Sequence, residues 1–460
     1  MTLSAATTVA KNTRTKNYSD STLGILADYA FSLKLTSLSD STLNMVRNCV
    51  LDLVTAAVAG ANADGARATR VTAMSSFGSG TSSLWFSGAK LPAAAAVLAN
   101  CTAASILDLD DGHRAASGHP GAAIIPCCLA VAEEVGASWN ELVAAIVVGY
   151  EISVRVSASR HQAKISTQET GDWVHFGVAA AVGRLRGLNR KQLEQAMAIA
   201  GCHGPNKAAI ANTQKMADQI KEGIPWSSLT GVLAVDLARA GFTGTTNILD
   251  KSPNYDAEVV LQDLGQSCLI DRVYFKPYSC CRWIHGPIDG VIDIMTSNNL
   301  RPDTIKSIEI HTFTRALNLN NETNPMTLEG AQYSLPYCLG VVAVYGAKSM
   351  LPIKAEHLHD PIAVDIAKKV QLNLNESYDA LYPEKTAARI VLHTASESYS
   401  REVLLPFGDA DNPMSNAQLW DKFADATQGL PVEDISKGIS AFDDGDYLSL
   451  VQALATYKCT

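Results

Sequence analysis

Apolar side chains recur every three or four positions through most of the first 270 residues of the chain. This spacing gathers them on one face of a helix, and two segments, 92–107 and 122–135, are apolar almost throughout, which is typical of buried helices. The spacing predicts helices over residues 21–35, 39–59, 92–107, 122–135, 138–157, 175–187, 189–201 and 228–240. No strand ladder is predicted in this part of the chain, which should therefore form a helical bundle.

The pattern changes after residue 271. Residues 307–313 and 388–394 alternate apolar and polar side chains, which is the period of a half-buried strand. Residues 401–405 can pair with the second of these strands, and an apolar helix is predicted over residues 331–345. From residue 415 onward the spacing is helical again.

We therefore predict a mainly α protein. A large all-helical domain combines residues 21–270 with residues 407–460, and a smaller α/β lid domain over residues 271–406 is inserted between them. Residues 1–18 carry three basic and no acidic side chains, and we predict a flexible N-terminal tail over residues 1–20.

The densest group of ionisable side chains lies between the two buried helices. It contains Asp108, Asp110, Asp111, His113, Arg114 and His119. Such a group marks a place where protons move or a charged ligand binds. Pro120 can begin the next helix, so His119 should lie at a helix N-terminus, where backbone amides and the helix dipole favour an anion. We predict a carboxylate substrate there; the alternative is a capped turn with Asp110 and Asp111 in solvent.

Two further residues begin buried helices. His175 precedes an alanine-rich helix, and Lys221 precedes the apolar helix over residues 228–240. A lysine in this position can bind a carboxylate, or burial can lower its pKa. Taken alone, each has a structural explanation, as a hydrogen-bonded core histidine and as a solvated turn lysine. Two histidines at helix starts favour their convergence on one pocket.

Composition limits the classes of function. At 460 residues the chain is long enough for two domains, and with 47% hydrophobic and 18% charged residues much of it must be buried. The net charge of −9 argues against a nucleic-acid partner. The ten cysteines show no zinc spacing and mostly lie in apolar runs, which favours buried thiols in a reducing compartment. No membrane span is predicted.

These features predict a cytoplasmic protein with no membrane partner; the alternative is a mitochondrial location, if the N-terminal tail is a transit peptide. The sequence has no glycine-rich nucleotide loop and no Gly-x-Ser-x-Gly elbow. The acidic cluster resembles no zinc motif, so we rank direct acid–base chemistry above a metal site.

Several stretches, in the same order along the chain, resemble the MmgE/PrpD family. They are residues 51–60 (LDLVTAAVAG), 108–111 (DLDD), 119–121 (HPG), 221–226 (KEGIPW), 275–278 (FKPY) followed by Cys281 and His285, 331–337 (AQYSLPY), and 412–415 (NPMS) followed by Lys422 and Phe423. The family includes 2-methylcitrate dehydratase, cis-aconitate decarboxylase and iminodisuccinate epimerase. The resemblance implies a helical domain with an inserted α/β lid, a homodimer, and neither an organic cofactor nor a required metal.

The resemblance also implies site residues by position. The catalytic candidates are Asp108, His119, His175, Lys221 and Tyr337. Together with the charged groups already described, we take as substrate-binding candidates Asp111, His113, Lys215, Arg282, His285 and Cys281. Gly112 stands where relatives often carry Thr or Ser, so His113 is considered as a replacement. Lys215 is an alternative to Lys221, because the loop after Lys221 is one residue tighter than in relatives.

The chemistry that the family shares is cleavage of a bond next to a carboxylate of a small polycarboxylic acid. We expect His119 and His175 to exchange protons with the substrate, and Lys221 and Arg282 to bind its carboxylates. Tyr337 would donate a proton or a hydrogen bond. The carboxylate of Asp108 would orient a histidine.

Three reactions can follow from one such intermediate. Loss of hydroxide makes a hydro-lyase, loss of carbon dioxide makes a decarboxylase, and reprotonation from the other face makes an epimerase. We rank a 2-methylcitrate-type dehydratase first. The alternatives are an iminodisuccinate-type epimerase, a cis-aconitate-type decarboxylase, and a catalytically silent dimeric binding protein.

Overall fold

The computed structural model describes residues 21–161, 169–204 and 218–458. The described chain is mainly α-helical, with a smaller α/β part, as the sequence predicts. The helices are α1 (Thr22–Ser32), α2 (Asp40–Gly60), α3 (Asp64–Ser76), α4 (Ala93–Ser105), α5 (Gly121–Val135), α6 (Trp139–Ala158), α7 (Val174–Leu185), α8 (Arg190–His203), α9 (Ile224–Arg239), α10 (Ile248–Lys251), α11 (Ala257–Leu261), α12 (His285–Ser297), α13 (Thr314–Leu317), α14 (Leu328–Gln332), α15 (Leu335–Tyr345), α16 (Pro361–Ala367), α17 (Glu376–Asp379), α18 (Asn416–Ala426), α19 (Glu433–Asp443) and α20 (Tyr447–Thr456).

The strands are β1 (Ser82–Ser83), β2 (Lys90–Leu91), β3 (Gly112–His113), β4 (Val273–Tyr274), β5 (Ser307–Thr312), β6 (Val370–Leu374), β7 (Ala388–His393) and β8 (Ser398–Val403). Four of them form a sheet in the order β6-β5-β7-β8, in which only the β5–β6 pair is parallel. Buried side chains alternate along β5 and β7, because α12 covers one face of the sheet. The remaining strands form two short antiparallel pairs, β1–β2 and β3–β4.

Local sequence explains where most helices begin and end. The side chains of Ser21, Ser39 and Ser138 accept hydrogen bonds from the first-turn amides of α1, α2 and α6, as N-cap residues do. Helix α5 ends at Gly136, whose φ of 64° is the left-handed conformation of a C-cap.

One predicted helix is wrong in detail. The apolar run over 331–345 forms two helices, α14 and α15, because Ser334 leaves the helical conformation and its side chain accepts a hydrogen bond from the Tyr337 amide. This break places Gln332 and Tyr333 at the end of a short helix, where they face the helical part of the molecule.

Buried apolar side chains form two main clusters. The larger draws on the helices of residues 23–275 and 407–457, and the second lies within residues 278–403 around the four-stranded sheet. Helix α2 is apolar and long enough to cross a membrane by length and composition, and 67% of its apolar window is buried inside the protein. The domain boundaries proposed from the sequence stay a prediction.

Candidate active site

The ionisable cluster lies on the connection between α4 and α5. In its middle, β3 pairs with β4, so that Gly112 lies opposite Tyr274. A Cβ atom at position 112 would lie 2.3 Å from the Tyr274 ring, a distance that no side chain tolerates. Glycine is therefore required here by close packing, and this explains why Thr or Ser is absent from the position.

A cavity of about 250 Å³ opens beside this connection. Its polar side is formed by Ser105, Asp108, Asp110, His119, Lys221 and Glu222. Its apolar side is formed mainly by Ala68, Leu98, Ile220, Ile224, Pro225 and Trp226. Such a cavity, apolar with a few convergent charged groups, is the usual form of a small-molecule site.

The imidazole of His119 is held in one orientation. Its Nδ1 lies 2.6 Å from the backbone oxygen of Asp111. A carbonyl only accepts hydrogen bonds, so Nδ1 carries a proton and Nε2 is the ring nitrogen that faces the cavity. Nε2 lies 3.7 Å from Asp108 Oδ1 and 3.5 Å from Glu222 Oε1. Nε2 of His119 therefore faces two carboxyl groups at the cavity.

Asp108 is buried among cations. Its Oδ1 lies 3.1 Å from Lys276 Nζ and 3.8 Å from Lys221 Nζ. Burial alone would raise the pKa of Asp108, but the two ammonium groups and His119 outweigh it and hold this pKa well below its usual value. Asp108 therefore stays ionised, as its predicted role in orienting and charge-tuning a histidine requires.

Lys221 lies at the same cavity. Its ammonium group donates to Gln332 Oε1 at 2.7 Å and to the backbone oxygens of Ser105 and Ile106 at 3.0 and 3.2 Å. The two backbone oxygens lie at the C-terminal end of α4, where the helix dipole favours a cation. Burial lowers the pKa of Lys221, and Asp108 partly offsets this shift. Lys221 and Asp108 both adopt positive φ angles, of 43° and 53°, a strain often seen at functional sites.

The two remaining aspartates of the cluster are buried, so the predicted alternative of a solvated turn is wrong. Asp110 lines the cavity, and burial raises its pKa to about 6. Asp111 instead accepts hydrogen bonds from the Gly121 amide at 2.9 Å and the Tyr150 hydroxyl at 2.6 Å. Burial raises the pKa of Asp111 to about 7. The structure thus uses Asp111 to fix the start of α5, away from the cavity lining.

His175 does not join His119 at the described cavity. It lies in the first turn of α7, where its Nδ1 is 3.0 Å from the Ser227 hydroxyl. That hydroxyl in turn donates to the Gly171 backbone oxygen at 2.7 Å, so it accepts the Nδ1 proton. This chain of hydrogen bonds joins α7 to α9 and gives His175 a structural position.

Tyr337 is also absent from the lining of the described cavity. Its hydroxyl donates to the His357 backbone oxygen at 2.6 Å, inside the α/β part of the molecule. Tyr333, four residues earlier, lies near Lys221 instead, since the centroid of its ring is 5.7 Å from Lys221 Nζ. Burial, Asp108 and Glu222 raise the pKa of the Tyr333 hydroxyl.

Three of the predicted substrate-binding residues bond to the backbone instead. His113 Nε2 lies 3.1 Å from the Leu269 oxygen, and burial lowers the pKa of His113 to about 4. Arg282 donates to the backbone oxygens of residues 406 and 407 at 3.1 and 2.9 Å, and burial lowers the pKa of its guanidinium to about 10. His285 Nε2 lies 3.1 Å from the backbone oxygen of residue 280. Of these contacts, the one from Arg282 to residue 407 joins the two parts of the fold.

The last two predicted residues differ in their placement. The Cys281 amide donates to the Gln332 backbone oxygen at 2.9 Å. Burial and the charge of Asp108 raise the pKa of the Cys281 thiol. Lys215 lies outside the described residues.

The structure adds residues that the sequence prediction missed. Lys276 is fully buried against Asp108, although its sequence signal was only a place in the FKPY stretch. Glu222 follows Lys221 directly and lines the same cavity. Thr170 links His119 to Glu222. Its hydroxyl accepts a hydrogen bond from the His119 amide at 2.9 Å and donates one to Glu222 Oε2.

The described residues include one group with the donor set of a metal site. Ligand atoms of Asp108, His119 and Glu222 lie within 4.8 Å of one another. Lys276 and Lys221 already supply two positive charges to Asp108, and they would repel a divalent cation. The absence of a required metal stays a prediction from the sequence.

Comparison with known proteins agrees with this architecture. The MmgE/PrpD N-terminal domain model matches residues 24–262, and the MmgE/PrpD C-terminal domain model matches residues 278–443. The chain belongs to the MmgE/PrpD family. The resemblance proposed from the sequence motifs is therefore confirmed.

Several relatives of this MmgE/PrpD protein have names that refer to the same activity, cis-aconitate decarboxylation. Cis-aconitate decarboxylase of Aspergillus terreus is 23% identical over 399 residues, which cover 78% of this chain and 80% of the relative. Cis-aconitate decarboxylase of Homo sapiens is 25% identical over 400 residues, 79% of this chain and 80% of the relative. A cis-aconitate decarboxylase-like protein of Aspergillus oryzae is 23% identical over 368 residues, 72% of this chain and 75% of the relative. These relatives support an enzyme of the lyase kind.

Proposed function

We propose that this protein is a cofactor-independent lyase that removes carbon dioxide from a small unsaturated polycarboxylate of the cis-aconitate kind. The relatives named above support decarboxylation, which we now rank above the dehydration ranked first from the sequence. The observation that carries the proposal is the meeting of a proton-accepting His119 nitrogen and the Lys221 ammonium group at one cavity.

Lys221 gives the substrate its anchor. A carboxylate that displaces one of the three acceptors of its ammonium group would bind at the end of α4. A charge-assisted hydrogen bond of this kind fixes the orientation of the substrate. Lys276, paired with Asp108 behind Lys221, adds positive charge to the same side of the cavity.

The charge of the cavity favours loss of carbon dioxide. Asp108, Asp110 and Glu222 all line it, so a substrate carboxylate away from Lys221 lies among acidic groups and an apolar wall. When the C–CO₂ bond breaks, its electron pair passes to the neighbouring double bond and neutral carbon dioxide leaves. A side chain then returns a proton to carbon, so one proton is consumed and the ligand loses one negative charge. Loss of water would leave the charge of the ligand unchanged.

We also propose a homodimer, and assign its contact to α9. Trp226, Leu233 and Leu237 are 57%, 43% and 38% exposed on this helix. Their spacing of seven and four residues places them on one face. An exposed apolar row of this kind is typical of a protein contact, and a second copy would cover it.

Proton NMR in heavy water tests the reaction. Wild-type protein is incubated with cis-aconitate, 2-methylcitrate, citrate and iminodisuccinate, without added metal or cofactor. We expect cis-aconitate to give a decarboxylated product that carries one deuterium at carbon. A dehydrated product from 2-methylcitrate or citrate, or deuterium exchange without net loss, would reassign the enzyme to a hydro-lyase or an epimerase.

A further inference from the structure

We propose that Glu222 is the acid that delivers the proton to the substrate carbon after carbon dioxide has left, an assignment that rests on the proposed function. The structure places its Oε1 at the cavity, 3.5 Å from His119 Nε2. The sequence prediction gave this task to His119 and His175, but His175 lies between α7 and α9, bonded to Ser227. The second proton-transferring group at the cavity is Glu222.

Thr170 holds one oxygen of the Glu222 carboxyl group in position. Its Oε2 accepts the Thr170 amide proton at 3.1 Å and also the Thr170 hydroxyl proton. Two donors on Oε2 fix the plane of the carboxyl group, so that Oε1 is the oxygen that points to His119. Because the Thr170 hydroxyl also accepts the His119 amide, one residue sets the positions of both groups. This is the arrangement that a proton-transferring pair requires.

The other two carboxyl groups of the cavity are less suited to the task. Asp108 lies against Lys276 and Lys221, which hold it ionised, so it has no proton to give. Asp110 lies 3.7 Å from His119 Nδ1, the nitrogen bonded to the Asp111 oxygen, and is therefore behind the ring. Glu222 is on the Nε2 side, with its Oε1 3.5 Å from that nitrogen.

The proposed step balances as follows. The C–CO₂ bond breaks and its electron pair forms a carbanion that the neighbouring unsaturated carboxylate delocalises. The O–H bond of Glu222 breaks, and its proton forms the new C–H bond with that electron pair. His119 Nε2 then takes a proton from solvent and passes it to the Glu222 carboxylate. The sum is substrate plus one proton giving product plus carbon dioxide.

The alternative is that Glu222 only supports His119 through Thr170. Two variants separate these roles. Glu222→Gln keeps an oxygen for the two Thr170 donors but has no acidic proton. Thr170→Val removes the shared hydroxyl but keeps the carboxyl group. Glu133→Gln is the matched control, since Glu133 accepts the Ser83 amide at 2.6 Å and the Ser83 hydroxyl at 2.8 Å outside the described cavity lining.

The experiment measures kcat and KM for cis-aconitate as a function of pH. For Glu222→Gln we expect a loss of kcat of about 10²- to 10⁴-fold, the usual contribution of general acid catalysis, with KM unchanged or lower and an unchanged melting temperature. The pH profile of kcat in this variant should differ in shape from that of wild type. Thr170→Val should lose far less, and Glu133→Gln should match wild type.

Two results would overturn the assignment while the lyase stands. One is a Glu222→Gln variant within about threefold of wild-type kcat. The other is an equal loss in Glu222→Gln and Thr170→Val with unchanged pH profiles, which indicates a positioning role. If wild-type protein converts none of the acids in the panel, the proposed function fails, and the assignment of Glu222 fails with it.

Discussion

The buried ion pair between Lys276 and Asp108 makes a quantitative prediction about stability. The side chains are 0% and 4% exposed, and Nζ lies 3.1 Å from Oδ1. At an effective dielectric constant of about 20, this separation corresponds to an attraction of about 5 kcal/mol. Lys276→Met removes the attraction and leaves the Asp108 carboxylate buried. Lys221, at 3.8 Å, still compensates part of that charge, so we expect a loss of about 3 kcal/mol in the free energy of unfolding, at the low end for broken buried pairs.

The loss should depend on pH with a definite sign. In wild type the pKa of Asp108 is held below its usual value. In Lys276→Met burial should raise this pKa above the unfolded value of about 3.9. The folded variant then binds more protons than the unfolded chain between these two pKa values, so its stability falls as pH rises. The variant should therefore be more destabilised relative to wild type at pH 8 than at pH 5.

Urea unfolding of both proteins at the two pH values measures the effect. Lys437→Met is the matched control, because Lys437 forms an exposed pair with Asp434 at 3.2 Å, and exposed pairs contribute little. The variant Lys276→Met/Asp108→Asn should recover part of the loss, since it leaves no charge unpaired. A loss below about 1 kcal/mol in Lys276→Met, or an equal loss at both pH values, would refute the reasoning.

Three further predictions concern turnover and assembly. His119→Asn should lower kcat for cis-aconitate about 10²- to 10⁴-fold with little change in melting temperature; equal losses of activity and folding would contradict its assignment. His175→Ala should lower the free energy of unfolding by about 1–3 kcal/mol, because it leaves the buried Ser227 hydroxyl without its donor, and its kcat should fall less than tenfold; a loss as large as that of His119→Asn would return His175 to the reaction. Leu233→Asp should convert a dimer to a monomer in sedimentation velocity runs, and unchanged sedimentation would contradict the α9 contact.

Much of the fold was accessible from the sequence because its signals are local. The apolar period predicts helices such as α1, α2 and α6 within a few residues, and each of them begins after a serine cap. Strand β6 escaped prediction, since Val370–Leu374 is partly exposed at the sheet edge and its alternation is weak. The break between α14 and α15 depends on the N-cap at Ser334, which interrupts the apolar run over 331–345 from which a single helix was predicted.

The site was predictable only in part, because its members meet through long-range contacts. The cluster around His119 is contiguous in sequence and was found. Lys276 is 168 positions from Asp108 along the chain, and nothing in the apolar pattern indicates that they touch. Tyr337 was assigned by resemblance, whereas the fold brings Tyr333 to the lysine. Glu222 follows Lys221 in the sequence, but the role proposed for it as an acid rests on its position relative to His119 and Thr170, which the sequence does not give.

The most direct test of the proposed reaction is the release of carbon dioxide from cis-aconitate, followed by membrane-inlet mass spectrometry. We expect wild-type protein, without added metal or cofactor, to release one carbon dioxide for each molecule of substrate consumed, and His119→Asn to release it at least about a hundredfold more slowly. Consumption of cis-aconitate without carbon dioxide, or no consumption at all, would contradict the account.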